Sequence, residues 1–99
     1  SPNFSYDETT MEELEKSVKR TIAFLRKLKP KHFEGAEKRP VPIFFNPKKT
    51  LLGARYVELI GIPNFFFHYT MAYAILRHNG VQIGKVDFIG SLPGLGKSY

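Results

Sequence analysis

His68 lies inside an apolar and aromatic run, residues 63–79. An imidazole there could bind a metal ion, transfer a proton or hydrogen-bond a ligand. Asn64 lies one helical turn before it, and the hydroxyls of Tyr69 and Tyr73 could donate to the same ligand. We therefore interpret Asn64, His68, Tyr69 and Tyr73 as a candidate ligand pocket. The alternative is that they are core side chains whose polar atoms are hydrogen-bonded within the protein.

A second polar group, Arg77, His78 and Asn79, ends the same run. Positive charge at a helix C-terminus interacts favourably with the helix dipole, and Asn suits the end of a helix, so capping accounts for this helix-end polar cluster. No Ser-His-Asp ordering or paired carboxylates stand out, and the chain has no Cys. We expect no catalytic residues, no metal site and no cofactor, so we do not expect an enzyme.

The residues 63–79 predict one helix, with Pro63 at a first helical position and Gly80 as the left-handed residue that ends it. Almost every residue between them is apolar or aromatic. A helix that is apolar on all sides is either a central helix or a membrane span. A span needs about 20 apolar residues and this run has fewer, so we expect burial within protein and no membrane partner.

Another helix is predicted over residues 9–29. Thr9 with Glu12, or Thr10 with Glu13, matches a capping box, and Pro30 ends the helix. Its apolar residues recur at helical spacing, which predicts an amphipathic surface helix. These residues are Met11, Leu14, Val18, Ile22, Leu25 and Leu28.

The other segments are a lead-in over residues 1–8, a β-hairpin over 40–52 and a mobile tail over 91–99. In the hairpin, Asn46-Pro47 favours turn initiation. The second helix covers residues 54–79, kinked by Gly61 and Pro63. Gly94-Leu95-Gly96-Lys97-Ser98 superficially resembles a phosphate loop, but the first glycine of that pattern is replaced by Ser91.

The chain of 99 residues fits one domain, 1–99. Its net charge of +6 leaves polyanion or nucleic-acid binding open as an alternative function. Acids interrupt the basic segments and no nucleic-acid motif accompanies them, so we interpret them as a solvated surface. No signal peptide is apparent, and we expect a basic, cytoplasmic protein.

Residues 63–90 closely resemble the C-terminal signature of an uncharacterised family of DinB-like proteins. The resemblance rests on Pro63-Asn64-Phe65-x-Phe67-His68, on residues 72–81 (Ala-Tyr-Ala-Ile-Leu-Arg-His-Asn-Gly-Val) and on Gly84-Lys85-x-Asp87-Phe88. Residues 21–25 and 33–37 are similar to that family's third helix and following loop.

The family's members are four-helix bundles of about twice this length, so the resemblance implies the C-terminal half of such a bundle. The wider DinB-like superfamily includes metal-dependent thiol transferases with a His-x-x-x-His pair on the last helix. Here Ala72 stands four residues after His68. A DinB-like metal- or thiol-dependent transferase, or a small-molecule binder, is therefore an alternative function rather than the leading one.

The expected fold is mainly α, with two long antiparallel helices and a small hairpin between them. One layer cannot cover a helix that is apolar all round. We therefore expect a non-catalytic helical association module of unknown function, completed by a homodimer mate or by a cleaved N-terminal half of the same protein. The predicted core residues are Met11, Leu14, Val18, Ile22, Leu25, Phe65, Phe66, Tyr69, Ala72, Tyr73 and Leu76.

Overall fold

The computed structural model describes residues 5–94 and is mainly helical, with one two-stranded antiparallel sheet. Its contacts divide the chain into two units, Ser1–Arg39 and Pro40–Tyr99. The first unit contains helix α1 (Met11–Arg26) and two 3₁₀ turns, Pro30–Phe33 and Ala36–Lys38. The second contains β1 (Pro40–Ile43), β2 (Asn46–Leu52), α2 (Gly53–Tyr56), a π-helical turn (Val57–Gly61), α3 (Ile62–His78) and α4 (Lys85–Ile89).

Helix α1 begins with a capping box between Thr10 and Glu13. The Glu13 N–H donates to the Thr10 hydroxyl oxygen over 3.1 Å. The carboxylate of Glu13 accepts from the N–H of Thr9 over 2.7 Å. Of the two capping boxes that the sequence allows, the chain therefore forms the second, which satisfies N–H groups that have no partner inside the helix.

The hairpin forms as predicted, but its turn lies elsewhere than predicted. Ile43 pairs with Asn46, so the connecting turn is Phe44-Phe45, while Asn46-Pro47 belongs to β2. The register shifts next to this turn, since Pro42 pairs with Thr50, and Pro47–Lys49 therefore have no partner in β1. A two-stranded sheet has only edge strands, which is why β2 accommodates the Pro that a central strand would exclude.

Elements α2, the π-helical turn and α3 form one continuous helix, Gly53–His78, of 26 residues. Pro63 lacks the N–H that a regular helix would use at that position. In the π-helical turn just before it, the Ile62 N–H donates to the carbonyl of Val57, five residues back. The helix thus continues through the region where the sequence suggested a kink, with a locally wider turn.

The C-terminal end of α3 is closed by Gly80, whose φ of +91° is left-handed. The Gly80 N–H donates to Arg77 O and the Val81 N–H to Leu76 O. This pair of bonds is the Schellman arrangement, as the position of the glycine in the sequence predicted.

Helix α4 was not predicted. Its start is stabilised by the carboxylate of Asp87, which accepts from the N–H of Gly84 over 2.9 Å. Of the segment 91–99 that we expected to be mobile, residues 95–99 lie outside the described part of the chain.

No residue in the described range 5–94 is buried, so the predicted core is wrong for the single chain. Met11 is 74% exposed and Phe65 62%. The physical reason is that the described residues of neither unit form a second layer. The first unit has one long helix, and in the second only the hairpin and the five-residue α4 accompany the long helix.

Candidate functional site

The four candidate pocket residues all lie on α3 but occupy two different faces. At about 100° per residue, Asn64 and His68 lie within about 40° of each other, whereas His68 and Tyr73 lie about 140° apart. The His68 ring contacts the ring of Phe67, with centroids 5.2 Å apart, and its side chain is exposed. Tyr69 and Tyr73 lie together, with ring centroids 6.2 Å apart.

The Tyr face of α3 packs against α4 through an aromatic cluster, Tyr69, Tyr73 and Phe88. The Phe88 ring lies 4.6 Å from that of Tyr69 and 5.3 Å from that of Tyr73. The hydroxyl of Tyr73 donates to the carbonyl oxygen of Gly84, which begins α4. Aromatic packing and one hydrogen bond thus hold α4 on one face of the long helix, a contact that sequence reasoning missed because α4 itself was missed.

The surroundings of Tyr73 raise the pKa of its phenol above 10.0, chiefly because the hydroxyl is partly removed from water. The negative charge of Asp87 raises this pKa further, and the positive charge of Arg77 lowers it. The phenol is therefore protonated at neutral pH and acts as a hydrogen-bond donor. A phenol whose pKa is raised is poorly suited to act as a base or nucleophile near pH 7.

The helix-end polar cluster has a structural role at Asn79. Its side-chain amide donates to the carbonyl of Ile75 over 2.7 Å. Arg77 and His78 occupy the last turn of α3, where the positive charge of Arg77 complements the helix dipole. All three residues thus lie at the C-terminal end of α3.

The part of the chain that the structure describes has no group of three His, Asp or Glu side chains that could hold a metal ion.

A groove of about 580 Å³ lies along α1 beside the lead-in segment. Its most enclosed charged group is Glu8, 13% exposed, with Oε1 4.0 Å from Nη2 of Arg20. Sequence reasoning gave no signal for it, because the lead-in has no regular secondary structure. Its lining residues are Ser5, Asp7, Glu8, Glu13, Lys16, Lys19 and Arg20.

Exposed apolar surface is the most extensive feature of both units. On α1, Val18 and Leu25 are 57% and 55% exposed, and on α3 Phe67 and Ile75 are 59% and 57% exposed. The continuous helix Gly53–His78 is long and apolar enough to cross a membrane, with a mean hydropathy of 1.3. This helix is longer than the apolar run 63–79, because it begins ten residues earlier, at Gly53. Core helices of soluble proteins also meet this criterion.

This mainly helical chain is similar in fold to about half of a DinB family member. The crystal structure of such a protein from Shewanella denitrificans superimposes with a TM-score of 0.83 at 34% sequence identity. The match covers 94% of this chain and 52% of that one, so the chain spans about half of the length of the structure that it resembles.

The particular family follows from the sequence. Residues 1–89 match the family described as "Domain of unknown function (DUF1993)", and the chain belongs to that family. No curated protein matches it. The DinB-like resemblance of the sequence is thereby confirmed at the level of the family and the helical fold.

Proposed function

We propose that this chain is a non-catalytic helical association module that corresponds to the C-terminal half of a DinB-like four-helix bundle. The observation that carries the proposal is a 26-residue apolar helix in a chain with no buried residue between positions 5 and 94. The match to only about half of a solved DinB-family chain supports it. The assignment to the C-terminal half rests on the signature in residues 63–90.

Exposure of the apolar side chains of α1 and α3 to water is energetically unfavourable. Each large apolar side chain left in water forgoes about 1.5–3 kcal/mol relative to burial. Several such losses rival the stability of a whole domain, about 5–15 kcal/mol. Burial against further helices removes this cost.

A second copy of the chain is the partner we propose. Two copies supply four long helices, and two-fold homodimers are the commonest soluble oligomers. The face of α3 opposite α4 is available for this contact, because Ile75 lies about 160° around the helix from Tyr73.

Sedimentation equilibrium with intact-mass spectrometry tests the proposal. We expect a species of twice 11.4 kDa that contains a single kind of polypeptide. Ile75→Asp should raise the dimer dissociation constant roughly tenfold or more, because it places a charge in an apolar contact. The matched control is Phe44→Asp, at a residue of similar exposure on the hairpin.

Two results would decide against the dimer. A second polypeptide in the mass spectrum would assign the apolar surface to an N-terminal half of the same protein. A well-folded monomer of 11.4 kDa without a second polypeptide would overturn the association module altogether.

A further inference from the structure

The turn of the hairpin departs from ordinary turn chemistry. Two-residue hairpin turns favour Asn, Asp and Gly, because the preferred turn types need positive φ. Here the two positions are Phe44 and Phe45, and no residue other than glycine has positive φ in the described range. Positions where a sequence breaks a local rule are often functional.

Both turn side chains project into solvent. Phe44 is 64% exposed and Phe45 69%, and their rings contact each other edge to face, with centroids 5.1 Å apart. The turn lies at the end of the strands away from Gly53, where the long helix begins. The pair thus forms a small apolar tip at the end of the hairpin.

The charges beside this tip are all positive. Lys48 and Lys49 lie in the part of β2 that has no partner in β1. No ion pair within residues 5–94 involves either lysine. Residues 40–57 contain no Asp or Glu, and their third cation, Arg55, is paired with Glu58 at 2.7 Å.

We propose that this hairpin tip, defined as Phe44, Phe45, Lys48 and Lys49, is a peripheral docking site for an anionic lipid surface. Exposed aromatic rings can insert at the boundary between headgroups and acyl chains. Lysines beside them attract anionic headgroups, each strengthening binding roughly fivefold. A tip of two residues suits insertion into a bilayer better than nucleic acid, which is bound along a groove with stacked bases.

This peripheral contact is different from a membrane span by the apolar run 63–79, which we do not expect from the sequence. The long apolar helix does not enter the bilayer, and only the hairpin tip touches it. The proposal does not depend on the partner of the helices, because the tip lies on the hairpin and not on α1 or α3.

The absence of Trp from the chain allows a direct test. Phe44→Trp and, separately, Phe45→Trp each introduce a single fluorophore at the tip, and Phe67→Trp places one on α3 as a matched control. The full chain is mixed with vesicles of phosphatidylcholine and phosphatidylserine (roughly 7:3) or of phosphatidylcholine alone. We expect a blue shift of both tip fluorophores with the anionic vesicles only, and none for Phe67→Trp.

A second measurement tests the role of charge. Lys48→Ala with Lys49→Ala should lower the vesicle partition coefficient roughly 25-fold. Lys16→Ala with Lys19→Ala removes the same charge from α1 and should leave the vesicle partition coefficient nearly unchanged. Circular dichroism confirms that each variant keeps its helices.

Four results would overturn the proposal: no shift at the tip, equal binding to neutral vesicles, an equal shift of Phe67→Trp, or equal binding after loss of both tip lysines. A shift with single-stranded oligo(dT) but not with vesicles would assign the tip to nucleic acid instead. The mass of the protein in solution is measured separately, so failure here leaves the association module untouched.

Discussion

Tyr73 joins the two helices that meet at the end of the second unit. Its hydroxyl donates to Gly84 O, which also accepts from the Phe88 N–H over 3.1 Å. Tyr73→Phe removes the side-chain donor while keeping the aromatic ring. We expect the Phe88 amide to exchange its hydrogen several-fold faster, because α4 opens more often from α3. Hydrogen exchange measured by NMR checks this.

Tyr69→Phe is the matched control for that experiment. It also removes a phenol hydroxyl beside Phe88, but it leaves the bond to Gly84 intact. Equal acceleration of exchange in both variants would mean that the rings alone hold α4 in place.

Glu13 gives a prediction for acid pH. The hydrogen bond from the N–H of Thr9 is the largest effect on this carboxyl and lowers its pKa. Desolvation opposes it, the N–H of Thr10 and the hydroxyl of Thr9 add to it, and the pKa lies below 4.5. Because the folded pKa is depressed, the stability from this contact is present above the unfolded pKa. It is lost as pH falls from about 4.5 through the folded pKa.

Helicity measured by far-UV circular dichroism should therefore fall at acid pH in the native chain. Glu13→Gln has no carboxyl at this position to titrate. The helicity contributed by the N-terminal end of α1 should therefore no longer change over this acid pH range. Glu12→Gln is the control, since it leaves the bond between Thr9 and Glu13 in place and should keep the acid transition. A native-like acid transition in Glu13→Gln would contradict the assignment.

At the scale of elements, caps and turns were predictable where one residue decides the geometry. Gly80 marked the end of α3 correctly, because only glycine adopts its positive φ readily. The hairpin was predicted but its turn was not, since Asn46-Pro47 carries the stronger turn signal and Phe44-Phe45 almost none. Helix α4 was missed because five residues give too little periodicity, and only Asp87 marked its start.

The π-helical turn gives a prediction for Gly61. This residue has helical backbone angles, φ −59° and ψ −55°. A β-carbon there would meet Tyr56 O at 3.7 Å, an ordinary contact. Gly61→Ala should therefore raise the free energy of unfolding by about 0.4–1 kcal/mol, mainly by restricting the unfolded chain. Urea unfolding at fixed protein concentration measures it.

Gly35→Ala is the opposite control. A β-carbon there would meet nothing within 4 Å, but its φ of +71° is a conformation that alanine rarely adopts. We expect Gly35→Ala to destabilise the chain. If Gly61→Ala also destabilised it, the π-helical turn would require glycine for a reason other than space.

For the whole molecule, the apolar pattern predicted the helices well and the core poorly. Periodicity identifies which side chains need cover, but it does not say which chain provides it. Val18 and Phe65 were predicted as core residues and are more than half exposed, because no second layer of secondary structure covers them within residues 5–94. The four candidate pocket residues lie on two faces of α3, because at about 100° per residue His68 and Tyr73 are about 140° apart.

Salt dependence discriminates between the possible partners. Each copy carries +6, so a homodimer brings together two molecules of like charge. The screening length falls from about 10 Å at 0.1 M salt to about 3 Å at 1 M, so salt weakens this repulsion while apolar burial persists. We expect the dissociation constant of the homodimer to decrease several-fold between low and high salt, measured by sedimentation equilibrium. A complex with an acidic second polypeptide would show the opposite trend, because salt would screen an attraction. An increase of the dissociation constant with salt would therefore contradict self-association and favour a partner of opposite charge on the faces of α1 and α3.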